Sequence, residues 1–393
     1  RIAQLNVKDA EWQIQENKAT ALPHLNLGLN YSYFIQQPEI PAIAYGFGDD
    51  PDQRLTFALR NNLAGKISVN QLLFNNSYLV GMKAARMYRD YVNLQLEAVK
   101  EKLRQNVRDA YLPALLLTES VAVLDSNIAN QESLLNETKA IYKAGFVEQL
   151  DVDRLDLISS TLRTERESLL RQRDILIDVF KFAINMSVKD EVTLSDDLST
   201  LLDTYADINV EEELDYNSRP DYVTLQKLKE LNNINVELYD KDWLPTVSLF
   251  ASYDPSFQGN DKLYWIPSAV AGVSVSMPIY DGGLSRAKQE RAIIAAMQVN
   301  EQSDMLIKAF DLEIQNARNQ YKNAIQKVKD QERNLALAQR IHNTSQIKFK
   351  AGIGSSFEVT QAQTALYQSQ GLLVQARYEL LHAIVALNKA LGK

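Results

Sequence analysis

The chain contains no cysteine, which excludes a disulfide framework, thiolate metal sites and cysteine nucleophiles. Glycine and proline are scarce, 14 and 10 in 393 residues, and this favours long uninterrupted helices over turn-rich topologies. Only His24, His342 and His382 are present. They are far apart, form no ligand cluster, and lead to the expectation of no metal or other cofactor. No run of about 20 apolar residues exists, so no membrane-spanning helix is expected. A net charge of −8 argues against a nucleic-acid partner. Neither a phosphate-binding glycine loop, nor a nucleophile elbow, nor carboxylates paired at fixed spacing stand out, so an enzyme is not expected. The start, "RIAQLNVKDAEWQ", lacks Met and falls inside an expected helix. It reads as a trimmed beginning, leaving any signal peptide or lipid anchor upstream of Arg1 open.

What is present is a sequence that repeats itself. "YKAGFVEQLDVDRL" (142–155) and "FKAGIGSSFEVTQA" (349–362) both place an aromatic before Lys-Ala-Gly, with Gly145 and Gly352 separated by 207 residues. "GKISVNQLLFNNS" (65–77) matches "AGVSVSMPIYDGG" (271–283), and "ALPHLNLGLNYSY" matches "WLPTVSLFASYDP". An apolar seam with alternating steps of four and three runs from Leu103 through Val121 and Leu135 to Tyr142. Adding 207 gives the same seam from Phe310 to Phe349. A 3.5-residue period means coiled-coil packing. From about Tyr78 to Tyr142 such a helix would extend on the order of 100 Å. The first repeat, 1–218, reads as helix 1–21, strands 24–36 and 54–72, long helix 75–143, turn 144–149, helix 150–186 and an acidic segment 187–218 of short irregular structure. The second, 219–393, reads as helix 220–243, strands 246–254 and 267–278, long helix 282–350, turn 351–355 and helix 356–391.

The strands alternate with period two. Leu25, Leu27, Leu29, Tyr31 and Tyr33 share one face; Leu55, Phe57, Leu59, Leu63, Ile67 and Val69 another; Val247, Leu249, Ala251 and Tyr253 a third. Phe250 interrupts the polar face of its strand. One reading is a sheet with one face on a core and the other in water. The other is a lipid-spanning barrel, apolar outward and polar inward. Four strands cannot close alone, and three copies would supply 12. The loops "QQPEIPAIAYGFGDDPDQ" and "DPSFQGNDKLYWIPS" would then lie outside.

The duplicated Lys-Ala-Gly turns, "SVSMPIYDGG" before a long helix and "SRPD" (218–221) together resemble the TolC family of outer-membrane efflux channels. The resemblance covers essentially the whole chain. It implies an α+β membrane protein, in which a coiled-coil α-helical barrel is continued by a transmembrane antiparallel β-barrel, four strands per protomer and 12 in a homotrimer. It implies a passive exit duct for small molecules in the outer membrane of a Gram-negative bacterium, its helical part in the periplasm. The segment 187–218 would form an equatorial collar. A periplasmic adaptor protein and an inner-membrane transporter would be the partners, besides outer-membrane lipid. A type I protein-secretion duct is an alternative, as is a periplasmic coiled-coil scaffold or adhesin carrying a small soluble sheet.

The same resemblance places the pore entrance and gate at Asp151, Asp153, Phe349, Gly354, Glu358 and Gln361. The family's entrance ring uses two acids on the second return helix, and here only Glu358 is acidic, with Gln361 in the other place. The family's gate uses a Tyr and an Arg where this chain has Phe349 and Gly354. A gate held by apolar packing follows. Adaptor docking would use the tips, Gly145, Phe146, Val147, Gly352 and Ile353. Each residue also has a local explanation. Gly145 and Gly352 suit left-handed helix ends. Ser355 with Glu358 fits a capping box, Asp151 is its first-repeat counterpart, and acids in a first turn complement the helix dipole. Phe146, Val147 and Ile353 could pack within the tip. His342 lies on the seam, where a hydrogen-bonded interior histidine is expected.

Overall fold

The computed structural model describes residues 1–393 except 48, 49, 51, 57, 206 and 207. Phe57 of the expected second strand lies outside the described residues, as do parts of the first outside loop and of the acidic segment. The remainder forms two compact units. One comprises Arg1–Leu96 with Thr224–Gln302, the other Glu97–Val223 with Ser303–Lys393. These units differ from the two repeats, because each draws on both. Each repeat supplies two strands to a single sheet, so hydrogen bonding ties the repeats together.

In the first unit, α1 (Ile2–Ala19) leads into β1 (His24–Tyr33). The short strands β2 (Glu39–Pro41) and β3 (Arg54–Thr56) pair with each other, and β4 (Asn61–Phe74) returns to start α2 (Asn76–Lys143). The helix α5 (Pro220–Asp240) leads likewise into β5 (Thr246–Gly259) and β6 (Tyr264–Ser276) before α6 (Leu284–Lys350). The sheet is antiparallel, in the order β1-β4-β5-β6. Its register lines up the predicted apolar faces. Leu27 faces Ile67, Ile67 faces Tyr253, and Tyr253 faces Ala269. Near the far end the row is Tyr31, Leu63, Phe257 and Trp265, with the last two rings 4.6 Å apart. Phe250, out of pattern in the sequence, faces Gly272. A Cβ there would come within 2.8 Å of the Phe250 ring, so the missing side chain makes room for the aromatic. An irregularity between Leu72 and Phe74 turns Phe74 onto the face of Val247.

Three strand boundaries depart from the sequence reading. The first strand ends at Tyr33 rather than 36, where Phe34 N–H donates to Arg60 C=O and the chain turns. Residues 54–72 are not one strand. The chain bends at 58–60, held by Gln37 Nε2 donating to Ala58 C=O (2.8 Å) and Arg60 N–H donating to Asn260 Oδ1 (2.9 Å). The second outside loop is mostly strand, because the alternation of Tyr253, Pro255 and Phe257 against Trp265, Pro267 and Ala269 continues to a turn after Gly259.

Neither face of β1 or β6 is covered. Leu25, Leu27 and Leu29 are 71%, 71% and 75% exposed, and Val273 and Val275 are exposed as well. The sheet also has two open edges, β1 and β6.

The second unit is helical. It holds the remainder of α2 and α6, with α3 (Gln149–Ala183) and α7 (Ser356–Ala390). The seam is real along its middle: Ala114, Val121, Leu124, Gln131, Leu135 and Thr138 are buried, while Leu103 and Tyr142 at its ends are exposed. The helix α2 continues through Pro113. Contrary to expectation, α2 also holds an 18-residue window of mean hydropathy 1.3, apolar enough by composition to cross a membrane. Its Leu112, Leu115, Leu134 and Leu135 enter helical clusters instead.

The acidic segment is more ordered than the sequence suggests. It contains α4 (Leu198–Thr204), whose fully buried Leu198 inserts among Leu112, Leu115, Val374 and Leu381. Further on, Ile208, Val210 and Leu214 pack on Ile314, Ala317 and Leu387. Polar contacts fasten the segment. Tyr111 Oη donates to Asp196 Oδ2 (2.6 Å), and Arg318 Nη2 donates to the Glu212 C=O (2.7 Å). Glu119 accepts from the Leu198 N–H and shares a hydrogen bond with Asp197. Burial, then the Asp197 carboxyl, push Glu119 up to about 7. Ser199 and the shared bond with Glu119 hold Asp197 down to about 2. Arg219 of "SRPD" is buried. Its Nη1 reaches Glu313 (3.1 Å) and the Lys389 C=O (3.1 Å), and its guanidinium lies 4.2 Å from the Phe310 ring centroid. It therefore caps the end of α7 and neutralises Glu313 at once.

Arg219→Ala leaves two helix-end carbonyls without their cation and Glu313 with Lys389 alone (3.4 Å), and should lower stability by about 3 kcal/mol, read from thermal loss of helix ellipticity. Glu119 has a folded value near 7 against an ordinary 4.5. The folded chain thus keeps a proton that the unfolded chain has released, and the stability it contributes is lost as pH rises from 4.5 through about 7. Hydrogen exchange across 198–204, corrected for its intrinsic pH dependence, should accelerate over that window. Glu119→Gln should flatten the profile.

Candidate functional site

The two turns of the second unit are built alike. Lys143 and Lys350 end their helices, and Gly145 and Gly352 follow with φ of 81° and 74°. Gly145 N–H donates to Tyr142 C=O (2.8 Å) and Phe146 N–H to Ile141 C=O (3.2 Å). In the second turn Gly352 N–H donates to Phe349 C=O (3.0 Å) and Ile353 N–H to Lys348 C=O (3.1 Å). Both are Schellman closures with glycine in the left-handed position. The return helices end the same way, at Asn185 (φ 60°) and Gly392 (φ 74°), again 207 residues apart. Asn185 escaped the sequence reading; its signal is an asparagine at the counterpart of Gly392, just past the last periodic residue.

Beyond the glycines the turns differ. Phe146 and Ile353 are 82% and 79% exposed, and Val147 is half-buried. The apolar tips therefore do not pack away within the chain. Gly354 is glycine for steric reasons. A Cβ would meet Lys348 Cβ at 3.0 Å and Phe349 N at 3.1 Å, so a longer side chain would press on the last turn of α6.

The starts of α3 and α7 are tied to each other. A full capping box forms at α3, where Glu148 accepts from the Asp151 N–H and Asp151 accepts from the Glu148 N–H (3.2 Å). The other oxygen of Asp151 accepts from Ser356 Oγ, so its carboxylate links the two return helices. At α7 only one arm of the expected box is present: Ser355 Oγ accepts from Glu358 N–H (3.2 Å), while the Glu358 carboxylate stays in solvent. Gln361 is exposed, and Asp153 accepts from Gln149 (2.7 Å). Phe349 packs on Leu134, Leu135, Val152, Leu155 and Val359. The structure thus joins Asp151 and Phe349 to the α3–α7 packing and leaves Asp153, Glu358 and Gln361 on the surface. Ser356, 4% exposed, is the contact that the sequence did not advertise.

Above the tip, Gln131 Nε2 donates to Leu155 C=O (2.9 Å) and Tyr367 Oη to Asn127 C=O (3.1 Å). Between α2, α3 and α7 lies a groove of about 800 Å³, lined by Leu124, Leu157, Leu169, Tyr367 and Leu372, with Gly371 on its wall. His342 differs from expectation. Neither ring nitrogen makes a hydrogen bond of good geometry, Asn343 lies beside the ring, and burial lowers its pKa. Among the described residues no group of His, Asp and Glu is placed to hold a metal.

An open four-stranded antiparallel sheet joined to two long helical hairpins with matching turns defines a TolC-like fold. Two solved structures carry it: the outer membrane protein VceC from Vibrio cholerae (TM-score 0.75, 14% identity, 100% of this chain and 92% of that one) and CusC (TM-score 0.79, 17% identity, 100% and 88%). The outer membrane efflux protein family matches residues 218–393. The pyoverdine export outer membrane protein OpmQ of Pseudomonas aeruginosa is 23% identical over 316 residues, which is 80% of this chain but 65% of that relative, just under two-thirds of its length. The family match spans the second repeat, a little under half of this chain.

Proposed function

We propose that this chain is the outer-membrane exit duct of a tripartite export system, passively conducting small molecules from periplasm to exterior as a homotrimer. The observation that carries the reading is the sheet. Its apolar side chains face outward with nothing over them among the described residues, and the outer edges of β1 and β6 have no strand paired to them there. Water tolerates neither condition well. Pairing β6 of one copy with β1 of the next around a three-fold axis closes 12 strands and leaves no edge, and lipid then covers the outer face. Tyr31, Tyr33, Tyr264 and Trp265 at one end, and Phe74, Trp243 and Tyr280 at the other, are exposed as two aromatic girdles would be. A soluble scaffold with a small sheet would need a cover for one of these faces, and none is present among the described residues.

In this reading the tips form the periplasmic entrance. Phe349 in its leucine and valine cluster holds the gate by packing, and Asp151, engaged by Ser356 and the Glu148 N–H, contributes no ion pair to it. Phe146, Val147 and Ile353 offer apolar contact to an adaptor, which in turn bridges to an inner-membrane transporter. Three copies of Glu358 would ring the entrance and favour cations.

The protein should require detergent for extraction and run as a trimer; a monomer soluble in plain buffer would sink the proposal. In planar bilayers, trimers carrying Asp151→Ala should keep the small closed-state conductance, whereas Phe349→Ala should raise it severalfold. A jump to a large open level with Asp151→Ala would instead make the gate electrostatic. Phe146→Glu with Ile353→Glu should abolish export while the trimer persists, and unimpaired export would remove docking from these tips. Secretion of an unfolded polypeptide, without small-molecule export, by cells carrying the chain would assign it to type I protein secretion.

A further inference from the structure

The first unit contains a groove that the duct reading leaves unused. It has a volume of about 600 Å³ and lies between the end of α1 and the first turns of α2, lined by Lys18, Tyr78, Met82, Lys83, Arg86 and Asp90 among others. Its floor is apolar, because Met82 and Ala85 pack on Ile14 with Tyr78 against them. Its rim is cationic. Glu237 is shared by Lys83 (2.7 Å) and Lys241 (3.0 Å), and Asp90 is engaged by Arg89 (2.6 Å). Lys18 and Arg86 are left without an acid among the described residues.

The second repeat shows that this charge is not required by the fold. The interval that relates Pro23 to Pro245 places Asp240 at the position of Lys18. The interval of 206 or 207 places Gln289 or Glu290 at Lys83, and Ala292 or Ile293 at Arg86. There Gln289 Nε2 donates to Asp240 Oδ1 (3.0 Å) and bridges the two helices. In the first repeat two cations face each other across the same place, and no such bridge can form.

We propose that this groove binds an anionic glycerophospholipid of the periplasmic leaflet, with Lys18 and Arg86 on its phosphate and Tyr78, Met82 and Met87 against the glycerol and the start of the acyl chains. The proposal rests on the outer-membrane reading. Position and chemistry both favour this occupant. Lys18 lies six residues before β1, and Tyr78 four after β4, so the groove opens just below the apolar band at the depth of headgroups. Arg matches a phosphate through paired N–H donors, and Lys adds a point charge. Asp90 and Glu237 limit the site to one anionic headgroup.

The test uses the full chain, purified in uncharged detergent and placed in nanodiscs of phosphatidylcholine containing phosphatidylglycerol. Lipids retained on release from the disc are weighed by native mass spectrometry. The chain should retain phosphatidylglycerol over phosphatidylcholine by roughly tenfold, given two cations at the membrane surface. Lys18→Glu with Arg86→Glu should erase the preference. Lys18→Arg with Arg86→Lys should keep it, and so should the matched reversals Lys288→Glu with Arg291→Glu in the second repeat. Equal retention of the two lipids by the unaltered chain overturns the inference, as does an unchanged preference in the reversed variant. Loss of the preference in excess inorganic phosphate makes this a free-anion site and overturns the lipid assignment. A chain that does not enter the disc overturns the outer-membrane reading and the inference with it; one that enters without preference overturns the inference alone.

Discussion

The rest of this structure depends on unfinished backbone pairing. Along the outer edges of β1 and β6 no strand pairs with the N–H and C=O groups among the described residues, and neither face of these strands is covered there. In a water-soluble domain such edges are blunted or buried. Here they are 10 and 13 residues long. Under the proposed function, other copies complete such a sheet laterally and lipid covers its outer face. The helices follow from it, since each strand pair must be entered and left at the same end.

The helical unit solves a different problem. Its seams contain small and polar residues, among them Ala114, Gln131, Thr138, Ala376 and Ala383. Apolar burial alone is modest there, and specificity comes from a few buried or half-buried polar links. Gln131 reaches the Leu155 carbonyl, Tyr367 the Asn127 carbonyl, and Arg219 ties the end of α7 to α6. The acidic segment is fastened in the same manner, by Leu198 in a leucine cluster and by Glu119 and Tyr111 at its acids.

Element types and the repeat were legible because periodicity is a local signal with many samples. Alternating Leu25, Leu27 and Leu29 and the four-three seam each present a dozen residues or fewer in one consistent pattern. The turn glycines were legible because left-handed backbone is restricted chemistry. The misreadings share one cause, which is contact between distant parts of the chain. The bend at 58–60 is set by Gln37 and Asn260, the extra length of β5 and β6 by cross-strand pairing, and the order in the acidic segment by helices far away in sequence. The same holds at the tip. Asp151 was visible as a helix-start acid, but its bond to Ser356 joins residues 205 positions apart, and no local pattern announces it. The sheet's need for neighbours could be inferred from four strands, whereas the identity of those neighbours is part of the proposed function.

Both tip turns are closed by backbone atoms, with glycine supplying the handedness. Phe146, Val147 and Ile353 contribute side chains to the surface but none to the closure. The shape of the tip is therefore insured separately from its chemistry. Those three residues can change while the hairpin that presents them stays folded, so the surface of the tip is free to vary at little structural cost.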